Sequence, residues 1–136
     1  MKTSNRRKFL ATAATVAAGT AIASAAPAAT LDKKYPILHH ALFWLKNPGS
    51  VEDRDKLAAG VKTLGKITHI KELRVGIVAS TEKRDVVDNS WAVSEVMLFA
   101  DLASQAAYQT DPIHLEFIKN YSHLWGKVIV YDAIDV

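Results

Sequence analysis

Tyr108 and His114 bracket the run Tyr-Gln-Thr-Asp-Pro-Ile-His, and His39 opens an apolar segment far upstream. Imidazole is the side chain whose proton affinity lies nearest neutrality, and a phenol is a hydrogen-bond donor that stays neutral there. Together they suit proton transfer on a small molecule. An imidazole accepts the proton of an acidic C–H or O–H while the phenol donates to the oxygen on which charge develops. Proton abstraction beside a carbonyl is the natural reaction class. It would serve aldol-type cyclisation, isomerisation or decarboxylation of a small, largely apolar keto compound, with Phe43, Phe117 and Ile118 as candidate pocket walls. A metal centre built from Asp111, His114 and His39 is the competing use of the same groups. No spacing here matches an established zinc or iron signature, so neither a metal nor an organic cofactor is expected. Each residue also has a plain structural role open to it. His39 can be satisfied by backbone at a strand end, Tyr108 can be a core phenol, and His114 can sit in a helical stripe with Phe117, Ile118, Tyr121 and Trp125.

The elements that must position these groups follow from capping and periodicity. Asp111 and Pro112 read as N-cap and first helical residue, so His114 falls in the first turn, where the helix dipole disfavours imidazolium. That helix is expected to run through Trp125 and to end at Gly126, while Asp101 caps a shorter one through Gln109. Residues 38 to 45 (LHHALFWL) are apolar on both alternating faces and predict a strand buried on both sides. Asn47-Pro48-Gly49 is a turn, and Ser50 with Asp53 begins a helix carrying Leu57, Ala58, Val61 and Leu64, which Gly60 and Gly65 weaken or end. Residues 71 to 79 form a second strand with Leu73, Val75 and Ile77 on one face. After a polar loop at 80 to 90, residues 91 to 99 form a third. Glu95 shares the face of Val93 and Met97 there, with Arg74 on the adjacent strand as its candidate partner. Residues 127 to 134 form the last strand. The order strand, helix, strand, strand, helix, strand is that of a split βαβ: an α+β, ferredoxin-like βαββαβ domain with an antiparallel sheet.

The N-terminal stretch belongs to a different category. Residues 1 to 8 carry Lys2, Arg6, Arg7 and Lys8 with no acid, and a mildly apolar Ala/Thr-rich run follows. Ser4-Asn5-Arg6-Arg7-Lys8-Phe9-Leu10 resembles the twin-arginine export signature. The expected organisation is a signal peptide and cleavage region at 1–28, a linker at 29–36 and one domain at 37–136, exported to the periplasm or beyond, with an uncleaved anchor as the alternative. Contact with a membrane is expected only during export. The formal charge of +3 is then misleading. Four of the 17 Lys and Arg residues and none of the 14 Asp and Glu residues lie in the signal, so the remainder carries 13 bases against 14 acids, or −1. No basic stripe with interleaved aromatics occurs beyond it, which argues against nucleic-acid binding. The absence of cysteine excludes disulfides, thiolate metal sites and a cysteine nucleophile.

A single antiparallel sheet with helices on one face leaves its other face open, and here that face carries Leu42, Trp44, Val96 and Leu98. A homodimer through the open sheet face is expected. Trp44, Trp91 and Trp125 read as core or interface residues, and His40, His69 and His123 are given no role.

The run from His39 to Lys46 (HHALFWLK) resembles the first strand of the Dabb family, the stress-responsive dimeric α/β barrels, which reads as a histidine, apolar residues, a phenylalanine and a lysine. Asp111-Pro112-Ile113-His114 is similar to that family's proline–histidine helix start, and Gly76 to its second-strand glycine. The resemblance implies a dimeric ferredoxin-like barrel. It also implies a place beside stress-induced plant proteins, bacterial members without assigned activity, and a plant polyketide cyclase that uses neither metal nor organic cofactor. That cyclase links a helix histidine and the tyrosine before it to acid–base chemistry, which maps onto His114 and Tyr108, with the strand histidine at His39. The chain departs from the pattern where Asp111 replaces a histidine before the proline, and where no tyrosine occurs near Gly60. Three readings follow: a module that holds a small hydrophobic molecule between sheet and helices, a cofactor-independent cyclase, isomerase or lyase using His114 and Tyr108, and a structural stress-protection protein without a pocket.

Overall fold

The computed structural model describes residues 34–136, so the expected signal peptide and the expected linker up to residue 33 lie outside the described residues. The elements run β1 (Ile37–Leu45), α1 (Val51–Thr63), β2 (Glu72–Ile77), β3 (Val93–Phe99), α2 (Leu102–Gln109), α3 (Pro112–Tyr121) and β4 (Trp125–Ile134). Short 3-10 turns follow α1 and α3. The strands form one sheet in the order β2-β3-β1-β4, with every neighbouring pair antiparallel. This is the ferredoxin-like α+β arrangement, in which β1 and β3 occupy the centre and α1 crosses between two non-adjacent strands.

Local chemistry sets the helix starts. Ser50 Oγ accepts from the Asp53 N–H at 3.1 Å, Asp101 Oδ1 from Ser104 N–H at 2.7 Å, and Asp111 Oδ1 from Ile113 N–H at 2.8 Å. Each removes one of the unpaired donors that a helix N-terminus exposes. Gly49, at φ 82°, supplies the left-handed residue that lets the chain turn into α1.

Burial alternates strictly along β1 and β3. Ile37, Ala41, Phe43 and Leu45 of β1 and Val93, Met97 and Phe99 of β3 face the helices and join Leu57, Val61, Leu64, Tyr108, Phe117 and Leu124 in one core. Burying each larger apolar side chain contributes roughly 1.5–3 kcal/mol. The other face holds Leu38, His40, Leu42 and Trp44 at half exposure, so β1 is fully buried on one side rather than on both.

Two further expectations need correction, the end of the last helix and the partner of Glu95. The last helix stops at Tyr121, and Trp125 and Gly126 open β4 instead of ending a helix. Gly60 lies inside α1, which runs on to Thr63 before the 3-10 turn that holds Gly65, and the Tyr121 ring of α3 packs against it, where an added Cβ would meet ring atoms at 2.6 to 2.7 Å. Arg74 does not pair with Glu95: it is exposed and its Nε donates to Glu72 Oε1 at 2.6 Å, whereas Glu95 points into the core.

Candidate functional site

The alternation that buries one face of β1 turns His39 inward, and antiparallel pairing sets it directly between Met97 of β3 and Asp132 of β4. His39 Nδ1 lies 2.6 Å from Asp132 Oδ1, while its Nε2 is 3.9 Å from Glu95 Oε1. A carboxylate accepts only, so Nδ1 carries the proton in the first contact and the ring is held by it. Glu95 and His39 are almost wholly buried, at 2% and 5% exposure. Burial pushes the Glu95 carboxyl up to about 7, because a charge in an apolar setting loses its hydration.

Tyr108 lies near the end of α2 on the side that meets the sheet. Its hydroxyl donates to Glu95 Oε1 over a long 3.5 Å, and burial, followed by the Glu95 charge, raises the phenol well above its usual range. Asp111 breaks the chain direction and caps α3, which sets His114 against Tyr108 with ring centroids 4.3 Å apart. His114 Nδ1 is 3.1 Å from the Gln109 carbonyl. A carbonyl can only accept, so the proton sits on Nδ1 and Nε2 keeps its lone pair. Burial also holds His114 below the ordinary imidazole range. The result is a neutral base with its tautomer set by the backbone.

These groups share a cleft of about 260 Å³. His39, Phe43, Tyr108, His114, Phe117 and Ile118, all candidates from the sequence, line it together. Phe117 and Trp125 stack at 5.5 Å and Phe43 meets Trp125 edge-on at 5.1 Å, giving the cleft an aromatic wall. Val128 and Val130 of β4 complete the apolar lining, and among the described residues no lysine or arginine enters it. The arrangement can bind a small, largely apolar molecule and exchange a proton with it.

Other placements sharpen the picture. Asp111 stays outside the cleft because its carboxylate is engaged at the helix start, and no group of three or more His, Cys, Asp and Glu able to hold a metal occurs among the described residues. Asp132, Trp125, Val128, Val130 and the Gln109 carbonyl contribute to the cleft without being candidates from the sequence. Asp132 carried a signal, being the polar residue in phase with Val128 and Val130, but only the strand order brings it to His39. Trp125 was concealed by the misplaced helix end. A larger hollow of about 400 Å³ lies at the other end of β1, between Trp44, Trp91 and the start of α1. Among the described residues its one ionisable lining group is Arg54, already paired with Asp55 at 2.8 Å, so acid–base chemistry belongs to the smaller cleft.

The model of the stress responsive A/B barrel domain, Dabb, matches residues 37–135. The chain belongs to the Dabb family. Solved structures share its fold. A Dabb family protein with a ferredoxin-like fold from Mesorhizobium loti is 20% identical, covering 75% of this chain and 98% of that one, at a TM-score of 0.60. A dimeric ferredoxin-like protein of unknown function from Thermobifida fusca is 15% identical, covering 74% and 91%, at 0.60. A hydroxynitrile lyase from Passiflora edulis is 21% identical, covering 76% and 95%, at 0.62. At such identities the likeness to these Dabb and related structures is one of fold. No curated protein matches the chain.

Proposed function

We infer that this Dabb protein is an exported homodimer that holds a small, largely apolar carbonyl compound in the His114 cleft and moves a proton on it. The observation that carries this reading is the His114 ring. Its Nδ1 is committed to the Gln109 carbonyl, its Nε2 is unprotonated, and it stands beside a phenol in an aromatic-walled cleft. In the reaction, His114 Nε2 takes a proton from the carbon beside the carbonyl. The C–H electron pair moves into an enolate, and Tyr108 donates a hydrogen bond to the enolate oxygen. Returning the proton elsewhere gives isomerisation, attack on a second carbonyl gives aldol closure, and loss of a leaving group gives a lyase reaction. A hydroxynitrile lyase shares the fold, and a related use of the same groups is open: a base takes the O–H proton of a hydroxynitrile, the O–H electron pair forms the C=O and the C–C bond to cyanide breaks. The aromatic lining equally supports simple binding of an apolar ligand without turnover.

Deuterium exchange from D2O into a panel of small aryl ketones, followed by NMR, tests the chemical step even while the natural substrate is unidentified. The native protein should accelerate exchange beside the carbonyl. His114→Ala should slow it by about 100-fold or more, as the loss of a positioned base does, with the melting temperature little changed. Equal exchange by both proteins rejects the role of His114. The dimer reading rests on the half-exposed apolar sheet face and on dimeric proteins of this fold. Export rests on the twin-arginine-like run at residues 4–10; retention of an Arg6→Lys, Arg7→Lys variant in the cytoplasm tests it.

A further inference from the structure

A buried carboxyl has no part in the scheme above. Glu95 sits in the middle of the sheet, opposite Ala41 on β1 and Val75 on β2, between Val93 and Met97 on the apolar face. A carboxyl in such a place is costly to keep as an ion, and among the described residues no Lys or Arg lines the cleft to offset it. Yet Glu95 is part of the cleft lining, beside the Tyr108 hydroxyl. Beyond His39 Nε2 at 3.9 Å, a contact that is ionic only when that imidazole is protonated, this carboxyl faces a ligand space and a phenol.

We propose that Glu95, in its acid form, and Tyr108, whose hydroxyl turns from Glu95 Oε1 to the ligand when one binds, are a pair of donors for the ligand oxygen on which negative charge develops. The pairing rests on the proposed function and adds to it a second donor and a substrate feature. A neutral carboxylic acid in an apolar site is a strong hydrogen-bond donor, and two donors aimed at one oxygen stabilise an oxyanion far better in a dry cleft than in water. The burial that holds the carboxyl up, to about 7, is what keeps this donor available near neutrality. The substrate class follows. With no fixed cation among the described residues of the cleft, the ground-state ligand is a neutral ketone or aldehyde whose oxygen becomes anionic only during reaction. A ligand that is already a carboxylate competes by occupying the donors.

The ionisable groups that face Glu95 are His39 from β1, with Asp132 of β4 behind it, Tyr108 from α2, and His114 from α3 across the cleft. β2 sets Val75 opposite it, and the buried residues of α1 are Leu57, Gly60 and Val61, none of which titrates. Any pH effect is therefore shared between Glu95 and the two histidines, and a Glu95→Gln variant separates them, since an amide still donates but does not ionise.

Benzoate is a suitable probe because it is small, planar and anionic throughout the range from about pH 6 to 8. Its binding to the native protein, read by calorimetry, should weaken about tenfold more between about pH 6 and 8 than its binding to E95Q, because the donor becomes a repelling carboxylate in the native protein only. Parallel pH curves for the two proteins overturn the assignment of Glu95. If ketone exchange by the native protein persists beside those parallel curves, the His114 reading stands alone; if neither exchange nor benzoate binding is found, both fall. Should E95Q fold poorly, the carboxyl carbon of Glu95 can be followed by NMR in the native protein. Saturating benzoate should move its titration to higher pH, and an unmoved titration overturns the proposal.

Discussion

Glu95 has a cost for folding as well as a use in the cleft. Its carboxyl titrates near 4.5 when unfolded and at about 7 in the fold. A group whose folded value is raised stabilises fully below the unfolded value, and that contribution is lost as pH rises through the folded one, because the folded chain then holds a proton that the unfolded chain has released. Native protein should lose about 3 kcal/mol of stability relative to E95Q between about pH 4 and 8, at roughly 1.4 kcal/mol per pH unit only between the unfolded and folded titration values. Urea unfolding of both proteins at the two pH values measures this, and a constant difference would show that Glu95 ionises freely in the fold. The residue types of the site were legible: histidine and tyrosine flanking an Asp-Pro helix start pointed to His114 and Tyr108, and both line the cleft. The partnership of His39 with Asp132 was not, because residues 93 positions apart meet only through strand order.

At the level of elements, the contact between α1 and α3 depends on an absence of atoms. Gly60 is a poor helix former, and replacing it by alanine in an exposed helix would stabilise by about 1 kcal/mol. Here the new Cβ would strike Tyr121 at Cγ, Cδ1 and Cε1, all within 2.7 Å. Cγ lies close to the Tyr121 backbone, so the ring has no easy rotation away. Gly60→Ala should therefore destabilise by roughly 1–3 kcal/mol, the usual cost of overpacking, and the addition of Tyr121→Ala should recover part of it; thermal melts of the single and double variants decide. Periodicity alone treats Gly60 as a weakness in the helix, since the ring that needs it arrives from about sixty residues further along. The misjudged end of α3 has a similar origin. Tyr121, Leu124 and Trp125 continue an apolar pattern that suits a helix, but Lys46 N–H donates to the Leu124 carbonyl at 3.0 Å and draws the chain into the sheet.

For the whole molecule, the surface that calls for a partner is the second face of the sheet. Leu42 pairs with Ser94 and Ile129, and His40 with Val96 and Tyr131, so the half-exposed apolar side chains form a continuous field across β3, β1 and β4. Fields of this kind mark contact surfaces. His40 Nε2 and Ser94 Oγ are already joined at 2.9 Å, which lets two polar groups lie within the field with a partner each. Under the homodimer reading, Leu42→Lys should halve the mass seen by light scattering at micromolar concentration while the far-UV circular dichroism stays that of the native fold. A native protein that is itself a monomer would remove the dimer, and with it the explanation of why β1 is apolar on both faces.

The strand at β1, the alternation in β3, the caps at Ser50, Asp101 and Asp111, and the βαββαβ order were determined by the sequence alone, because period, cap chemistry and turn residues act over a few neighbours. Those same local rules placed His114 in a first helical turn and His39 on a strand. Tertiary structure decided the rest: that Gln109 takes the proton-bearing side of His114, that Asp132 holds His39, that Glu95 is stranded among apolar neighbours, and that Tyr121 requires a glycine. These facts depend on which distant segments share a face, and on how much water reaches a group once they do. Neither quantity is a property of any short stretch of chain.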